Sequence, residues 1–497
     1  MNAPLSSVNR SIATGALWLV VFKFAERGIG LVSTLILARL LLPADFGLVA
    51  MAMTLLAVLE LIGNFGFDHA IIRKPDADRL HYDTAWTLTV MHGLLSGLVL
   101  VALAIPLAGF FNEPRLKSVI YVLALIAAVQ GLQNIGLVMF RKQMQFRQDV
   151  TFFLVKKVVA FVATMWLAFT FRNYWALVGG TLVSRVTGVV ISFMMHPYRP
   201  RLCFKATRDL LGFSRWIMVN GLLGYLIERG PDYLIGRLAG ATSLGVFRVA
   251  HEVSQLPTSE LLFPIMRAAY PGYSLVARDA EKLKATYLSV QEAVLLLTLP
   301  AAVGVIVLAE PLVLALLGPK WIDAIPVVRV LGVYGAIKMF QSTNNAIFNV
   351  LGKPYVNTVL AALECVIVLP LLALLLSHGL ATAAWSYLAA LAVAVPTAMA
   401  LLSRQLGLRA AERVRVTWRP LLATGVMAAA LEMAQPALGL VSSTSNAVIA
   451  LATLIPGGAI VYAGTVFVLW YAAGKPPSAE YRFITATTAR VRRMRPM

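Results

Sequence analysis

The sequence predicts an all-α integral membrane protein with about fourteen transmembrane helices. Hydrophobic residues make up 59% of the 497 positions and charged residues only 13%, against about 45–50% and about 25% in soluble domains. The mean hydropathy is +0.78. The apolar runs are continuous over the roughly 20 residues that a helix needs to cross a bilayer. They are too long for the alternating pattern of an outer-membrane barrel.

The spacing of the apolar runs and of the cations predicts the topology. The candidate spans lie near residues 12–38, 46–66, 82–109, 118–140, 149–171, 174–195, 213–238, 245–270, 284–308, 323–350, 355–377, 380–403, 418–438 and 445–473. Even-numbered connections carry most of the Lys and Arg, including Arg404, Arg409, Arg413, Arg415 and Arg419 before span thirteen. The positive-inside rule therefore predicts that both termini are cytoplasmic. This location explains the net charge of +20 without a nucleic-acid partner.

Several function classes are excluded by what the sequence lacks. No predicted loop exceeds about 20 residues, whereas a nucleotide-binding fold needs upwards of about 100. The sequence has no G-x-x-x-x-G-K-[ST] and no H-E-x-x-H motif, so we expect neither ATP hydrolysis nor a zinc protease site. Only Cys203 and Cys365 occur, and the six His are scattered. We therefore expect no metal, no cofactor and no enzymatic activity.

Two short patterns recur in the same order and indicate an internal repeat. Arg39-Leu40 with Gly47 returns as Arg237-Leu238 with Gly245, and 237 − 39 gives an offset of 198. The pattern Gln130 to Asn134 returns as Gln341 to Asn345, with an offset of 341 − 130 = 211. These matches predict two six-helix lobes, 1–200 and 201–410, followed by two additional helices and a basic cytoplasmic tail in 411–497. Parallel repeats of this kind are common in secondary transporters.

The stretch Leu37-Ala38-Arg39-Leu40-Leu41-Leu42-Pro43-Ala44-Asp45-Phe46-Gly47 resembles the signature of polysaccharide transporter family flippases. That family belongs to the multidrug/oligosaccharidyl-lipid/polysaccharide (MOP) superfamily and includes Wzx-type exporters. The segment from Asp232 to Phe247 is similar to a second family pattern, with Phe247 where the pattern usually has Tyr. The resemblance implies a two-lobed bundle in the bacterial inner membrane. It also implies export of isoprenoid-diphosphate-linked glycans to the periplasmic leaflet, alongside polysaccharide polymerase and chain-length machinery.

Charged residues inside the predicted spans are the candidate substrate-binding residues, because ionisable groups in a membrane are costly and usually functional. At about 1.5 Å per residue, Lys23, Arg27 and Arg185 lie about 17–22 Å from their entry ends, and Arg229 and Lys338 about 24 Å. These five cations predict a positive cavity for the diphosphate, since Lys and Arg supply paired donors and charge. The competing interpretation is structural ion pairing, for example of Arg229 with Glu228 or Asp232. Lys156 and Lys157 are expected to extend to the cytoplasmic face.

Uncharged and acidic groups complete the predicted site. Gln133, Asn134, Asn344 and Asn345 are candidate donors to the sugars, although hydrogen bonding between helices explains each of them equally well. Glu26, Glu228 and Asp232 are the main candidates for carrying a coupled proton or Na⁺, and Glu60 and Glu364 are further intramembrane carboxylates. Two other transport functions stay open, a peptidoglycan-precursor flippase and a multidrug antiporter. The short predicted periplasmic loops argue against a glycan polymerase or ligase.

Overall fold

The computed structural model describes residues 5–63, 71, 78–143, 145–438 and 444–476. Within those ranges the regular secondary structure is helical. The helices are α1 (Leu5–Leu40), α2 (Pro43–Gly63), α3 (Arg79–Phe110), α4 (Arg115–Gly131), α5 (Leu137–Lys142), α6 (Phe146–Phe171), α7 (Trp175–Met195), α8 (Thr207–Val276), α9 (Ala280–Val307), α10 (Ala309–Leu316), α11 (Ala324–Val350), α12 (Pro354–Leu375), α13 (Leu380–Leu406), α14 (Ala410–Leu438) and α15 (Thr444–Ala472). Nine helices in the described ranges are long and apolar enough to cross a membrane. The all-α membrane architecture is confirmed, while the number of fourteen spans stays a prediction.

The chain forms two compact units, residues 1–245 and residues 246–497. We call them the N unit and the C unit. The boundary falls within α8, close to a break at Gly240, where φ is +80° and ψ is 179°. The sequence predicts a connection between spans seven and eight, and the structure instead joins them in α8 through this one non-helical residue. The six-helix lobes ending at residues 200 and 410 stay a prediction.

The fourth predicted span is interrupted, in contrast to the continuous helix expected over 118–140. α4 ends at Gly131, and only the short α5 follows. Asn134 explains the break, because its Oδ1 accepts a hydrogen bond from the Gly136 backbone N–H at 2.9 Å. An Asn side chain that bonds to its own backbone in this way competes with the helical hydrogen-bond ladder. The hydropathy of residues 118–140 gives no sign of this break, because the segment is apolar on both sides of it.

The two copies of the Arg-Leu…Gly motif contact each other reciprocally inside the N unit. A Cβ on Gly47 would lie 1.6 Å from the Ala241 carbonyl oxygen, and a Cβ on Gly245 would lie 1.8 Å from the Pro43 carbonyl oxygen. Ala241 is separated from Pro43 by 198 positions, which is the offset of the motif itself. Each copy therefore uses its glycine to admit the backbone of the other.

An extended segment after α7, residues 196–205, lies along the first turns of α3. The Asp83 carboxylate accepts hydrogen bonds from the Tyr198 hydroxyl at 2.7 Å and from the Arg201 backbone N–H at 2.9 Å. The Thr87 hydroxyl accepts one from the Cys203 backbone N–H at 2.9 Å. Because buried polar groups need partners, these bonds fix the segment to the N unit.

In the C unit, α14 and α15 pack against α9. Arg419 Nη2 lies 2.9 Å from Glu292 Oε1, and the Tyr462 hydroxyl donates to the Leu296 carbonyl oxygen at 2.8 Å. The sequence pattern groups Arg419 with the cations at the start of span thirteen, and the structure pairs it with Glu292. The Arg419 side chain is buried within α14, and its partner is on a helix more than 100 residues earlier, where sequence neighbours give no sign of it.

Candidate anion-binding site

Arg185 of α7 and Glu60 of α2 form an ion pair in the N unit. Arg185 Nη2 lies 3.0 Å from Glu60 Oε1, and the two side chains keep 25% and 35% of their accessible surface. In the sequence, no acidic residue lies within one helical turn of Arg185. The partner comes from another helix, and the pair is open enough to exchange partners with a ligand.

Lys156 of α6 lies beside this pair. It lies within electrostatic range of Arg185, Glu60 and Lys157. A Cβ added to Gly188 of α7 would lie 3.2 Å from the Lys156 Cδ. Gln133 Oε1 would lie 3.7 Å from the same added Cβ on Gly188. The Lys156 stem lies against α7 and the side chain is half-buried, while its extension to the cytoplasmic face stays a prediction. Gly188, which leaves room for that stem, is the sequence signal that could have identified this contact.

Lys338 of α11 occupies a comparable ion pair in the C unit. Its Nζ lies 2.5 Å from Glu364 Oε2 of α12 and 5.6 Å from the centroid of the Tyr334 ring. The Tyr334 ring meets the Tyr387 ring edge-on with centroids 5.2 Å apart. The Tyr387 ring in turn lies 5.9 Å from that of Phe247. The Phe247 position, where the family pattern usually has Tyr, therefore belongs to the aromatic surroundings of Lys338.

Arg229 is surrounded by acidic groups. Its guanidinium nitrogens lie 3.7 Å from Glu228 and 3.7 Å from Asp232. Asp232 is 2% exposed, and Thr54 of α2 donates a hydrogen bond to it at 3.3 Å. The structure thus brings Arg229 into the ion pairs that the competing interpretation describes, with two carboxylates for one cation.

The two cations of α1 are exposed. Lys23 Nζ lies 2.9 Å from Glu26 Oε2, one turn along the same helix, and their side chains keep 58% and 37% of their surface. Arg27 is also exposed. These residues lie on the surface of the N unit, away from the buried part of α1 at Leu37 and Ala38.

Two of the four predicted sugar-binding amides are bonded to the protein itself. Asn134 receives a hydrogen bond on Oδ1 from Gly136 and donates from Nδ2 to the Tyr198 carbonyl oxygen at 2.8 Å. Asn344 accepts from the Tyr287 hydroxyl at 2.8 Å. Both side chains are about 1% exposed, which favours their structural interpretation. Gln133 and Asn345 are more open. Asn345 Oδ1 has no hydrogen-bond partner within the described part of the chain.

Arg237 of the family motif also has an architectural contact. Its guanidinium lies 5.3 Å from the centroid of the Phe110 ring at the end of α3. The adjacent Gly236 lies against Phe111 and Met51. An arginine held over an aromatic ring is stabilised by a cation–π interaction. This contact holds the exposed Arg237 side chain against α3 within the N unit.

Comparison with solved structures identifies the fold. The chain superimposes on "Lipid II flippase MurJ, inward closed conformation" with a TM-score of 0.74, at 11% identity, over 91% of this chain and 99% of that one. An inward-facing multidrug resistance MATE family transporter of the MOP superfamily gives a TM-score of 0.60, at 17% identity, over 77% and 94%. The chain therefore has the fold of MOP-superfamily transporters.

The sequence model of the family described as "Polysaccharide biosynthesis protein" matches residues 36–326, more than half of the chain. The chain belongs to this family. It is 26% identical to the succinoglycan biosynthesis transport protein ExoT of Rhizobium meliloti (strain 1021), over 63% of this chain and 64% of ExoT, less than two thirds of its length. It is 24% identical to the lipopolysaccharide biosynthesis protein WzxC of Escherichia coli (strain K12), over 67% and 68%. The teichuronic acid biosynthesis protein TuaB of Bacillus subtilis (strain 168) is 22% identical over 70% and 73%.

Proposed function

We propose that this protein is a flippase that moves isoprenoid-diphosphate-linked oligosaccharides from the cytoplasmic to the periplasmic leaflet by alternating access. The observation that carries the proposal is a half-exposed cation within a membrane-spanning helix of each unit, Arg185 in the N unit and Lys338 in the C unit. The relatives named for succinoglycan, lipopolysaccharide and teichuronic acid biosynthesis support a glycan repeat unit as the cargo.

The carboxylate partners of these cations suit a carrier of anions. A bare cation inside a membrane is costly, so Glu60 and Glu364 stabilise Arg185 and Lys338 when no substrate is present. A diphosphate carries more charge than one carboxylate and offers several acceptor oxygens to Lys and Arg. It therefore competes for these cations when it arrives. Lys23 and Arg27, which are exposed on α1, add positive charge for the approaching headgroup.

The membrane potential supplies a driving force without ATP. Moving a negative charge outward across a membrane that is negative inside releases about 2.3 kcal/mol per charge per 100 mV. Among the coupling candidates, Asp232 is buried, whereas the side chains of Glu26 and Glu228 keep 37% and 73% of their surface. Asp232 is thus the strongest candidate for carrying a coupled proton or Na⁺, because burial disfavours the charged form of a carboxylate and a change in exposure then changes its ionisation.

The location and partners follow from the same proposal. Both termini face the cytoplasm of a bacterial inner membrane, as the positive-inside pattern indicates. The substrate comes from glycosyltransferases, and a polymerase with its chain-length machinery consumes the product. Transport changes no covalent bond of the cargo, so no catalytic residue is assigned.

A peptidoglycan-precursor flippase is the second candidate, because the MurJ structure shares the fold. The two functions differ in the phenotype of a deletion. Loss of a surface-polysaccharide exporter removes capsule or O-antigen from viable cells, whereas loss of a peptidoglycan-precursor flippase causes lysis. A multidrug antiporter is less compatible, because its organic cations would meet Arg185 and Lys338.

Combined substitution of Arg185→Gln and Lys338→Gln should reduce surface polysaccharide by about tenfold or more, as expected when charged contacts to a ligand are removed. The measurement is surface glycan in a deletion strain complemented with each variant, normalised to the amount of protein in the membrane. Lys117→Gln with Lys320→Gln is the matched control, since both lysines are exposed and the change in net charge is the same.

A second variant separates binding from folding. Adding Glu60→Gln and Glu364→Gln to the double substitution removes both carboxylates that would otherwise be left unpaired, so the protein keeps its stability. We expect this quadruple variant to reach the wild-type amount in the membrane and still fail to export glycan. Normal export by either variant would contradict the proposed function of Arg185 and Lys338.

A further inference from the structure

The cluster around Arg185 has a net positive charge, unlike the clusters around Lys338 and Arg229. Arg185 and Lys156 both interact with the single carboxylate of Glu60. Within the part of the chain that the structure describes, no carboxylate lies at ion-pair distance from Lys156 Nζ. Lys157 is a further cation within electrostatic range of Lys156, so the cations of this cluster outnumber its one carboxylate.

The other two clusters have no such excess. In the C unit, Lys338 and Glu364 cancel. Around Arg229, the described ion pairs bring the carboxylates of Glu228 and Asp232 to one guanidinium, so they show no excess of cations. An excess positive charge that is half-buried attracts an anion strongly, because water screens it poorly. The sign of the local charge thus singles out the Arg185 cluster as the place for a phosphate.

The surroundings of Lys156 also suit a phosphate. Gly188 allows the Lys156 stem to lie against α7, and Gln133 lies at the same point of that helix. Lys156 thus supplies an ammonium, Arg185 a guanidinium and Gln133 an amide, which together match the several acceptor oxygens of a phosphate. In the predicted topology, Lys156 lies about 10 Å from the cytoplasmic end of its span, the side from which a lipid-linked substrate enters.

We infer that Lys156, Arg185 and Gln133 form a phosphate-binding site within the N unit, in which Glu60 is a resident counter-ion that the substrate's phosphate displaces. This inference rests on the proposed function and assigns its phosphate contact to one unit. Lys156 is then a binding residue, and Glu60 opposes binding while it stabilises the empty site. The two side chains therefore act on affinity in opposite directions.

Binding of a polyprenyl diphosphate to the purified full-length protein in phosphatidylcholine nanodiscs tests the inference. We expect Lys156→Gln to weaken binding about tenfold, equivalent to about 1.4 kcal/mol, and Lys156→Arg to retain it. Glu60→Gln should strengthen binding severalfold. The double variant Lys156→Gln/Glu60→Gln should return near to the wild-type affinity, because it restores the difference between cations and carboxylates. Lys117→Gln is the matched control for the loss of one exposed lysine.

The outcomes separate the inference from the proposed function. If the wild-type protein binds no polyprenyl diphosphate, the proposed function fails and the inference fails with it. In a second outcome, the wild-type protein binds polyprenyl diphosphate, the Arg185→Gln/Lys338→Gln variant does not, and Lys156→Gln has the same affinity as Lys117→Gln. That outcome overturns the inference alone. A Glu60→Gln variant that folds, as judged by its melting temperature, and binds more weakly would also overturn it.

The same series with phosphatidylglycerol as the probe distinguishes a specific site from general attraction of anionic lipid. We expect all the variants to bind this lipid with similar affinity. If the variants rank in the same order of affinity for both lipids, the cluster attracts any lipid phosphate. That result would overturn its assignment as the site for the substrate's phosphate.

Discussion

Replacing Gly47 or Gly245 with alanine should reduce the amount of folded protein severalfold and lower its melting temperature more than any surface substitution. The added methyl group on Gly47 would overlap the Ala241 carbonyl oxygen, and the one on Gly245 would overlap the Pro43 carbonyl oxygen. Ordinary overpacking costs about 1–3 kcal/mol because flexible side chains give way. Here the obstructing atoms are main-chain atoms, so the helices themselves must separate.

The measurement is the melting temperature of detergent-solubilised protein, together with its yield in the membrane. Gly304→Ala is the matched control, because it is also a helical glycine and a Cβ there meets nothing within 4 Å. We expect the melting temperature of this control to equal that of the wild type or to exceed it slightly, since alanine favours the helix. A Gly47→Ala protein as stable as Gly304→Ala would contradict the close contact between the two motif copies.

The motif contact shows what the sequence could predict about the fold. The offset of 198 between Gly47 and Gly245 indicated equivalent positions, and the apolar runs indicated the helices. The break after Gly131 was missed, because hydropathy averages over many residues while one Asn side chain ended the helix. The merging of spans seven and eight was also missed, since Gly240 permits a break of a single residue.

The sequence predicted the cations of the candidate site but not the carboxylates with which they form ion pairs. Arg185 and Lys338 are conspicuous in apolar spans, and Glu60 and Glu364 were identified as intramembrane carboxylates. Nothing in a single sequence pairs Arg185 with Glu60, which is 125 positions away, because that contact depends on how helices pack. Lys156 was assigned to the membrane surface from its depth alone. Its position against Gly188 depends on the rotation of α6, which depth does not determine.

The buried pair of Arg419 and Glu292 provides the second large expected effect. The two side chains keep only 5% and 9% of their surface, and Nη2 lies 2.9 Å from Oε1. Substituting Arg419→Met leaves the Glu292 carboxylate buried without its cation, which typically costs about 3–5 kcal/mol. Since this pair joins α14 to α9, we expect Arg419→Met to lower the melting temperature strongly and to release α14 from the C unit, detected as new protease sensitivity.

The double variant Arg419→Met/Glu292→Leu should recover most of the lost stability, because apolar residues of similar volume often replace a buried ion pair at little cost. The exposed pair of Lys282 and Asp279, whose side chains keep 72% and 44% of their surface, is the control. Lys282→Met should change the free energy of unfolding by about 1 kcal/mol or less. Equal effects of Arg419→Met and Lys282→Met would show that Glu292 reaches water or another cation when Arg419 is absent. The attachment of α14 would then depend on apolar contacts such as those of Ala423 and Met427.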